Sequence, residues 1–243
     1  MDIFAFPPVA FALSATSWFV QAVTNLLDPV TGSLSAALAI VVLTLLVRLL
    51  LIPVSISQVK AEWTRRRLAL KLRALQRKYK SKPEVLQRKV AALYKAENAR
   101  PFAGILPTLA QAPVISLVYA LFIHGTIGGH ANVLLAASLG GVPLGSSFVT
   151  VGVTWPGIVV FVGLLSLIAL TAWLSRRIAL KLALPADDAT ARVTSALSWL
   201  PFITVVFATI VPLAATIYLA TTTTFTLVER AILRRRYWGE LAL

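Results

Sequence analysis

The chain has 243 residues, of which 58% are hydrophobic and only 13% charged, yet its formal net charge is +14. A soluble domain of this length seldom combines so much apolar surface with so few charges, so these values favour an integral membrane protein. The absence of cysteine excludes disulfides and thiolate metal sites. Residues 1–4 show neither the basic start of a secretory signal nor the Arg/Ser-rich pattern of a transit peptide. We therefore expect a multi-pass protein of a bacterial cytoplasmic membrane.

The first predicted element covers residues 9–27, inside an outer-surface segment of residues 1–33. Its many polar side chains are unusual for a span, and no Lys or Arg precedes them. We expect an amphipathic helix lying on the outer membrane surface, with an additional span or an uncleaved signal anchor as the alternative. Asp28-Pro29 and Gly32 are expected to end it.

Five apolar runs follow, near residues 34–55, 104–123, 155–174, 196–211 and 213–232. Each approaches the roughly 20 residues that a helical crossing needs. Pro212 separates the last two runs, which predicts a tight hairpin of two helices. The fold class is therefore all-α, with a first span in residues 34–57 and four further spans in residues 104–232.

The positive charges are concentrated in three segments. Of the 23 Lys and Arg residues, 14 lie in residues 58–100, four in 175–195 and four in 230–243. Cytoplasmic segments carry such an excess of positive charge. This predicts an outer N-terminus, a cytoplasmic C-terminus and five crossings.

Residues 58–103 are predicted to form a basic cytoplasmic helical hairpin. Apolar side chains recur at steps of three and four on both sides of a short turn, at Leu68, Leu72, Leu75 and Tyr79 and then at Leu86, Val90 and Leu93. Ser81 and Glu84 have the spacing of a capping box. The hairpin and the basic tail, residues 233–243, are either topology anchors that bind anionic lipid or platforms for a protein partner.

No catalytic constellation emerges from the sequence. There is no Gly-rich phosphate loop, no zinc-binding helix and no pair of acids within a span. His124 and His130 lie six residues apart in a Gly-rich connection, residues 124–154, where they make poor metal ligands. We therefore expect neither an enzyme nor a cofactor.

Arg48 lies inside an apolar run and is the one Lys or Arg outside the three basic segments. An arginine at the centre of a membrane helix costs roughly 2.5–3.5 kcal/mol on insertion scales, and it stays protonated. It lies about seven residues from the end of its run, or roughly 10 Å deep at 1.5 Å per residue. We expect a polar recess enclosed by protein; the alternative is a side chain that extends to the cytoplasmic headgroups.

Other polar residues lie near the spans. Glu229 has a depth similar to that of Arg48, so it either meets Arg48 or marks the membrane interface. Thr44 and Gln111 belong to a set of hydroxyl and amide side chains in the spans that either bond to other helices or hold water in the recess.

Several short motifs resemble those of the YidC-type membrane protein insertases and their Oxa/Alb relatives in organelles. The resemblance covers about residues 15–236. The matching stretches are residues 47–53, Leu93-Tyr94-Lys95, residues 101–113, Trp199-Leu200-Pro201, Val211-Pro212 and Ile217-Tyr218. The sequence departs from the family pattern at Ala99-Arg100 where asparagine is usual, at Leu219 where tryptophan is usual and at Glu229 where glutamine is common.

The resemblance implies a protein that inserts and helps fold membrane proteins through a hydrated intramembrane groove, alone or with Sec. It places the groove arginine at Arg48 and the second-span glutamine at Gln111. The candidate substrate-binding residues are Arg48, Gln111, Thr44, Tyr218 and Glu229.

The implied partners are nascent membrane proteins and membrane lipids, with no sequence-specific nucleic acid. Residues 58–100 and the tail are the candidate contacts for a ribosome, the signal recognition machinery and the Sec translocon. The alternatives are a small-solute or ion transporter, for which a single arginine and no repeat are poor support, and a passive assembly scaffold.

Overall fold

The structure, a computed structural model, describes residues 7–97, 99, 105–127, 130–151, 154–183 and 188–240, which are mostly helical. The motif residues 100–104 and the end of the tail, residues 241–243, lie outside the described residues. The chain divides into two compact units. The first comprises residues 1–50 and 113–228, and the second comprises residues 51–112 and 229–243.

The first unit begins with two helices that pack against each other, α1 (Pro7–Thr31) and α2 (Ser35–Leu50), joined by a 3-10 turn at Gly32–Leu34. The expected end at Asp28-Pro29 is wrong, because α1 continues through Pro29 to Thr31, whereas the expected end at Gly32 is confirmed. Proline costs one helical hydrogen bond and crowds the preceding turn, but its fixed φ is itself helical. The helix ends at Gly32, whose φ of +52° is a conformation that glycine adopts without strain.

The surface of α1 has three strips. One strip is buried in the core of the unit through Leu13 and Val20. The other two strips are exposed, one apolar (Phe11, Trp18 and Leu26) and one polar (Ser14, Gln21 and Asn25).

Further helices after residue 100 include α5 (Ile105–Ile123), α8 (Gly157–Lys181), α9 (Asp188–Leu197), α10 (Leu200–Ile210) and α11 (Leu213–Glu240). Of the described residues, three helical stretches are long and apolar enough to cross a membrane: Pro7–Leu50, Gly157–Lys181 and Ala191–Ile210. Val114–Ile123 is apolar but shorter. The full set of five crossings remains a prediction.

The break expected at Pro212 is confirmed. Val211 is extended between α10 and α11, and the hydroxyl of Thr216 donates back across the break to the carbonyl of Ala208 at 3.0 Å. The core of the first unit includes Ile40, Phe122 and Phe161, all fully buried.

The Gly-rich connection between α5 and α8 is folded. It contains two antiparallel pairs, β1 (Thr126–Ile127) with β2 (His130–Ala131) and β3 (Ser138–Leu139) with β4 (Val142–Pro143). Two short helices, α6 (Val133–Ala136) and α7 (Phe148–Val151), complete it. The all-α expectation therefore holds for the long elements only, because two-residue strands leave no periodicity in a sequence.

A buried side chain anchors this connection. The amide of Asn132 donates to the carbonyls of Leu121 at 2.8 Å and His124 at 3.0 Å. The N–H of Ala214 in α11 donates to the carbonyl of Leu144 at 2.9 Å. Within the described residues, no group of three His, Asp or Glu side chains is placed to hold a metal ion.

The second unit contains the predicted hairpin, formed by α3 (Ile52–Lys78) and α4 (Pro83–Ala96). Leu68 is fully buried, and the other apolar positions of the predicted stripe are half-buried. The capping box at Ser81 is wrong, since Lys82 is the N-cap residue and makes no side-chain cap. Pro83 is favoured in the first turn of a helix, which places Glu84 at the second helical position instead of the third.

Glu97 links the two helices of the hairpin. Its carboxylate lies 3.1 Å from Nη2 of Arg67 and also pairs with Lys71. The hydrogen bond from Lys71, and the positive charges of Lys71 and Arg67, hold the pKa of Glu97 below its ordinary value.

The C-terminal part of α11 packs against α3 within the second unit. Nη2 of Arg234 donates to both carboxylate oxygens of Glu62, at 3.1 and 3.0 Å. The guanidinium groups of Arg66 and Arg234 both stack on the ring of Trp238. The indole N–H of Trp238 donates to the carbonyl of Val59 at 3.4 Å. Two side chains of the basic tail, Arg234 and Trp238, thus hold the tail against α3.

Candidate functional site

Arg48 lies in the last turn of α2. The expected run to residue 55 is interrupted, because α2 ends at Leu50 and α3 begins at Ile52 with Pro53 in its first turn. Proline has no N–H and clashes with the preceding turn, so it favours a helix start. Arg48 therefore lies two residues before the end of α2, and its depth of roughly 10 Å in the membrane remains a prediction. The C-terminal end of a helix favours a cation.

The side chain of Arg48 turns inward. It is half-buried, whereas its neighbours Leu46, Leu49 and Leu50 are exposed. Its Nε donates a 2.8 Å hydrogen bond to the hydroxyl of Thr222 in α11. The guanidinium is thus bonded inside the protein, on a helix whose exposed surface at this level consists of leucines.

Tyr218 completes this cluster. It lies one helical turn before Thr222, is 4% exposed, and its phenol interacts with both the Thr222 hydroxyl and the Arg48 guanidinium. Its ring lies 5.7 Å from that of Phe122 and 6.4 Å from that of Tyr119. These aromatic contacts fix the phenol, so Arg48 meets a polar surface supported by the apolar core.

Thr44 lies one turn before Arg48 and is 1% exposed. Its hydroxyl donates to the carbonyl of Ile40 at 2.7 Å, so its proton is used within its own helix. Thr221, Thr224 and Thr226 of α11 also donate to carbonyls four residues earlier. Most of these hydroxyls therefore satisfy the helix backbone.

Gln111 and Glu229 belong to the second unit. Both are buried, with exposed fractions of 7% and 8%. The structure thus brings Arg48 together with Tyr218, places Thr44 on the same helix as Arg48, and assigns Gln111 and Glu229 to the other compact unit. Their assignment as substrate-binding residues remains a prediction.

Sequence reasoning missed Thr222, the residue that accepts from Arg48. The run of threonines at residues 221–224 hid it, because any of the four could have faced α2. Its spacing of four from Tyr218 was the available signal, since residues four apart share a helix face.

The cluster joins a permanent cation to two neutral hydroxyls. The guanidinium carries five N–H donors, and its one Nε donor is bonded to Thr222. A hydroxyl can accept and donate at once, so Thr222 and Tyr218 solvate the charge without neutralising it. Such an arrangement suits the transient binding of an acidic group.

Comparison with known proteins supports a membrane role. Residues 26–240 match the 60Kd inner membrane protein family. The chain is 39% identical over 85 residues to the membrane protein insertase YidC of Clostridium perfringens, a match that covers 35% of this chain and 36% of that protein. It is 36% identical over 107 residues to the YidC insertase of Oceanobacillus iheyensis, covering 42% of each chain.

A third relative is the YidC insertase of Helicobacter pylori, which is 40% identical over 86 residues, or 35% of this chain and 16% of that protein. The matches thus span less than half the length of each of these relatives. The family match, in contrast, includes Arg48, Tyr218 and Thr222 and extends over most of the chain. The chain therefore belongs to the 60Kd inner membrane protein family.

Proposed function

We propose that this protein is a membrane protein insertase that brings the acidic, polar ends of nascent membrane proteins into the bilayer through the Arg48 cluster. The observation that carries this proposal is the half-buried guanidinium of Arg48 in α2, which donates a hydrogen bond to Thr222. Its neighbours Leu46, Leu49 and Leu50 on the same helix are exposed. Ionisable groups at such positions mark the paths of polar substrates.

The proposed topology has an outer N-terminus, five crossings and a cytoplasmic C-terminus. It follows from the three basic segments and from the apolar helices, with α5 and α11 as the two crossings beyond the three apolar stretches. In this topology α1 lies on the outer surface, because its exposed polar strip would be costly inside lipid.

The proposed mechanism uses charge attraction followed by burial of apolar surface. A carboxylate at 4 Å from Arg48 gains about 4 kcal/mol at an effective dielectric near 20, before desolvation. Water and the two hydroxyls in a groove around Arg48 lower the cost of moving the substrate's polar end. Transfer of roughly 20 apolar residues of the substrate into lipid then completes insertion.

The proposed partners follow from the relatives' role as membrane protein insertases. Nascent membrane proteins are the substrates, and Gln111, Glu229 and Thr44 are candidate contacts to them. The hairpin of α3 and α4 is the candidate contact for a ribosome, a targeting factor or the Sec translocon. Its cations outnumber its acids, Glu62, Glu84 and Glu97, several-fold.

Reconstitution tests the proposal. The purified chain is placed in liposomes, a single-span substrate with an acidic translocated tail is added, and protease protection of the tail is measured. We expect Arg48→Ala to reduce the insertion rate at least tenfold and Arg48→Lys to reduce it less, since lysine keeps the charge but lacks the planar fork.

Leu49→Ala is the matched control, because it alters an exposed neighbour on the same helix. Full insertion by the Arg48→Ala protein would remove the arginine from the mechanism. Passage of small solutes that depends on Arg48, without any effect on insertion, would favour a transporter.

A further inference from the structure

A second cluster of arginine and aromatic side chains lies in the first unit, at the C-terminal end of α8. The guanidinium of Arg176 lies 4.2 Å from the ring centroid of Trp199, and that of Arg177 lies 4.4 Å from the ring of Trp173. Two consecutive arginines thus stack on two tryptophans. The Arg48 cluster uses none of these residues.

Stacking on a ring leaves the N–H donors of the guanidinium free to bind an anion. The ring covers the flat face, while the N–H donors lie around the edge of the group. Nε of Arg176 is buried and has no hydrogen-bond partner among the described residues. A buried donor without an acceptor is costly, so this guanidinium is not fully satisfied within the described protein, and arginine forms strong charge-assisted hydrogen bonds with phosphate.

The start of α10 adds to the positive potential. Trp199 is the N-cap residue of α10 and supplies no side-chain cap. Helix N-termini attract anions. The surrounding segment, residues 175–195, carries four basic and two acidic residues.

The neighbouring surface is apolar. Trp173 is 42%, Leu200 53% and Ile203 61% exposed. A site with cations beside exposed apolar side chains fits an amphiphile whose headgroup is anionic and whose tails lie along the helices. Free phosphate would use the cations alone.

We propose that Arg176, stacked on Trp199 and assisted by Arg177, binds the phosphate of an anionic phospholipid in the cytoplasmic leaflet. The inference rests on the proposed topology but not on the insertase activity. Its readout is lipid binding, so its failure is distinguishable from a failure of insertion.

Native mass spectrometry of the detergent-purified full chain tests the proposal, with phosphatidylglycerol, phosphatidylcholine and inorganic phosphate titrated separately. We expect Arg176→Gln to weaken phosphatidylglycerol binding about fivefold, the effect of one basic residue at an anionic surface. Arg192→Gln removes the same charge from the same segment at an exposed position. It should change binding less than twofold at 0.5 M salt, where exposed charges are screened.

Arg176→Lys separates stacking from charge. The proposal expects it to bind phosphatidylglycerol more weakly than the unmodified chain, because an ammonium lacks the planar stack. Retained binding by Arg176→Gln, equal losses for Arg176→Gln and Arg192→Gln, or equal binding of phosphatidylcholine would overturn the site. Binding of inorganic phosphate as tight as that of phosphatidylglycerol would overturn the lipid assignment.

Discussion

Arg48 is permanently protonated, and Thr222 accepts the hydrogen bond that holds its guanidinium inside the protein. Thr222→Val keeps the shape of the side chain but removes the acceptor for Nε of Arg48. We expect a loss of about 1–3 kcal/mol of stability, because a charged donor then lacks a partner. The thermal midpoint of the purified protein and the insertion rate of the acidic substrate should both fall.

Two control variants test this prediction. Thr222→Ser keeps the hydroxyl and should behave like the unmodified chain. Thr224→Val removes a hydroxyl that donates to the carbonyl of Ala220 in its own helix, so its effect should be small. Equal losses for the valine variants at positions 222 and 224 would show that the Arg48 contact has no special role.

Sequence reasoning found Arg48 and, through the family resemblance, Tyr218, but it missed Thr222. A lone arginine among leucines is conspicuous, because lipid cannot solvate its charge. Thr222 is one of four consecutive threonines, and only the rotation of α11 decides which of them faces Arg48. That rotation depends on packing between distant parts of the chain, which local patterns do not encode.

Among the helices, Glu97 is the residue whose charge links α3 to the end of α4. The lowered pKa of this carboxylate means that its contribution to stability is fully present above the ordinary value of 4.5. The contribution is lost as the pH falls below 4.5 through the lowered pKa. We therefore expect the hairpin to loosen under acidic conditions. The chain has no cysteine, so Gln76→Cys and Gln87→Cys provide unique sites for spin labels.

Distance distributions between these two labels should broaden at pH 3 compared with pH 7. Glu97→Gln should give a broad distribution at both values, because the amide cannot pair with Lys71 and Arg67 as a charge. An identical pH response in the Glu97→Gln protein would mean that another group controls the hairpin.

The contact between α3 and the end of α11 depends on Glu62. Its carboxylate accepts from Arg234 in a forked geometry, and Arg234 is only 18% exposed. We expect Glu62→Gln to free the end of α11, seen as a longer and broader distance between labels at positions 70 and 235. Glu84→Gln removes the same charge from a pair 3.9 Å apart with an 89% exposed carboxylate, and should change nothing.

Prolines illustrate what local sequence reveals about the elements. The break at Pro212 is found as predicted, because Val211 before it is extended and long apolar runs lie on both sides. Pro29 does not end α1, since the backbone remains helical until Gly32. Pro83 shifts the start of α4 and removes the expected cap. A proline thus predicts a break well only where the flanking residues favour one.

At the scale of the whole molecule, the distribution of charge predicts the orientation. Single cysteines at positions 33 and 150 should react with a membrane-impermeant maleimide in intact cells, and cysteines at positions 76 and 235 should react only after lysis. A cysteine at position 7 separates the two interpretations of α1. Reaction from outside places α1 on the outer surface, whereas protection until lysis would make α1 a further span.

The central claim is that Arg48 attracts an acidic group of the substrate, and a charge cycle tests it most directly. Insertion into liposomes is measured for the unmodified chain and for Arg48→Gln, each with an acidic substrate tail and with the same tail carrying amides. The account predicts that Arg48→Gln slows insertion of the acidic tail at least tenfold but changes insertion of the amide tail about twofold or less. Equal slowing of both tails would contradict it, because Arg48 would then support the protein without binding the substrate's charge.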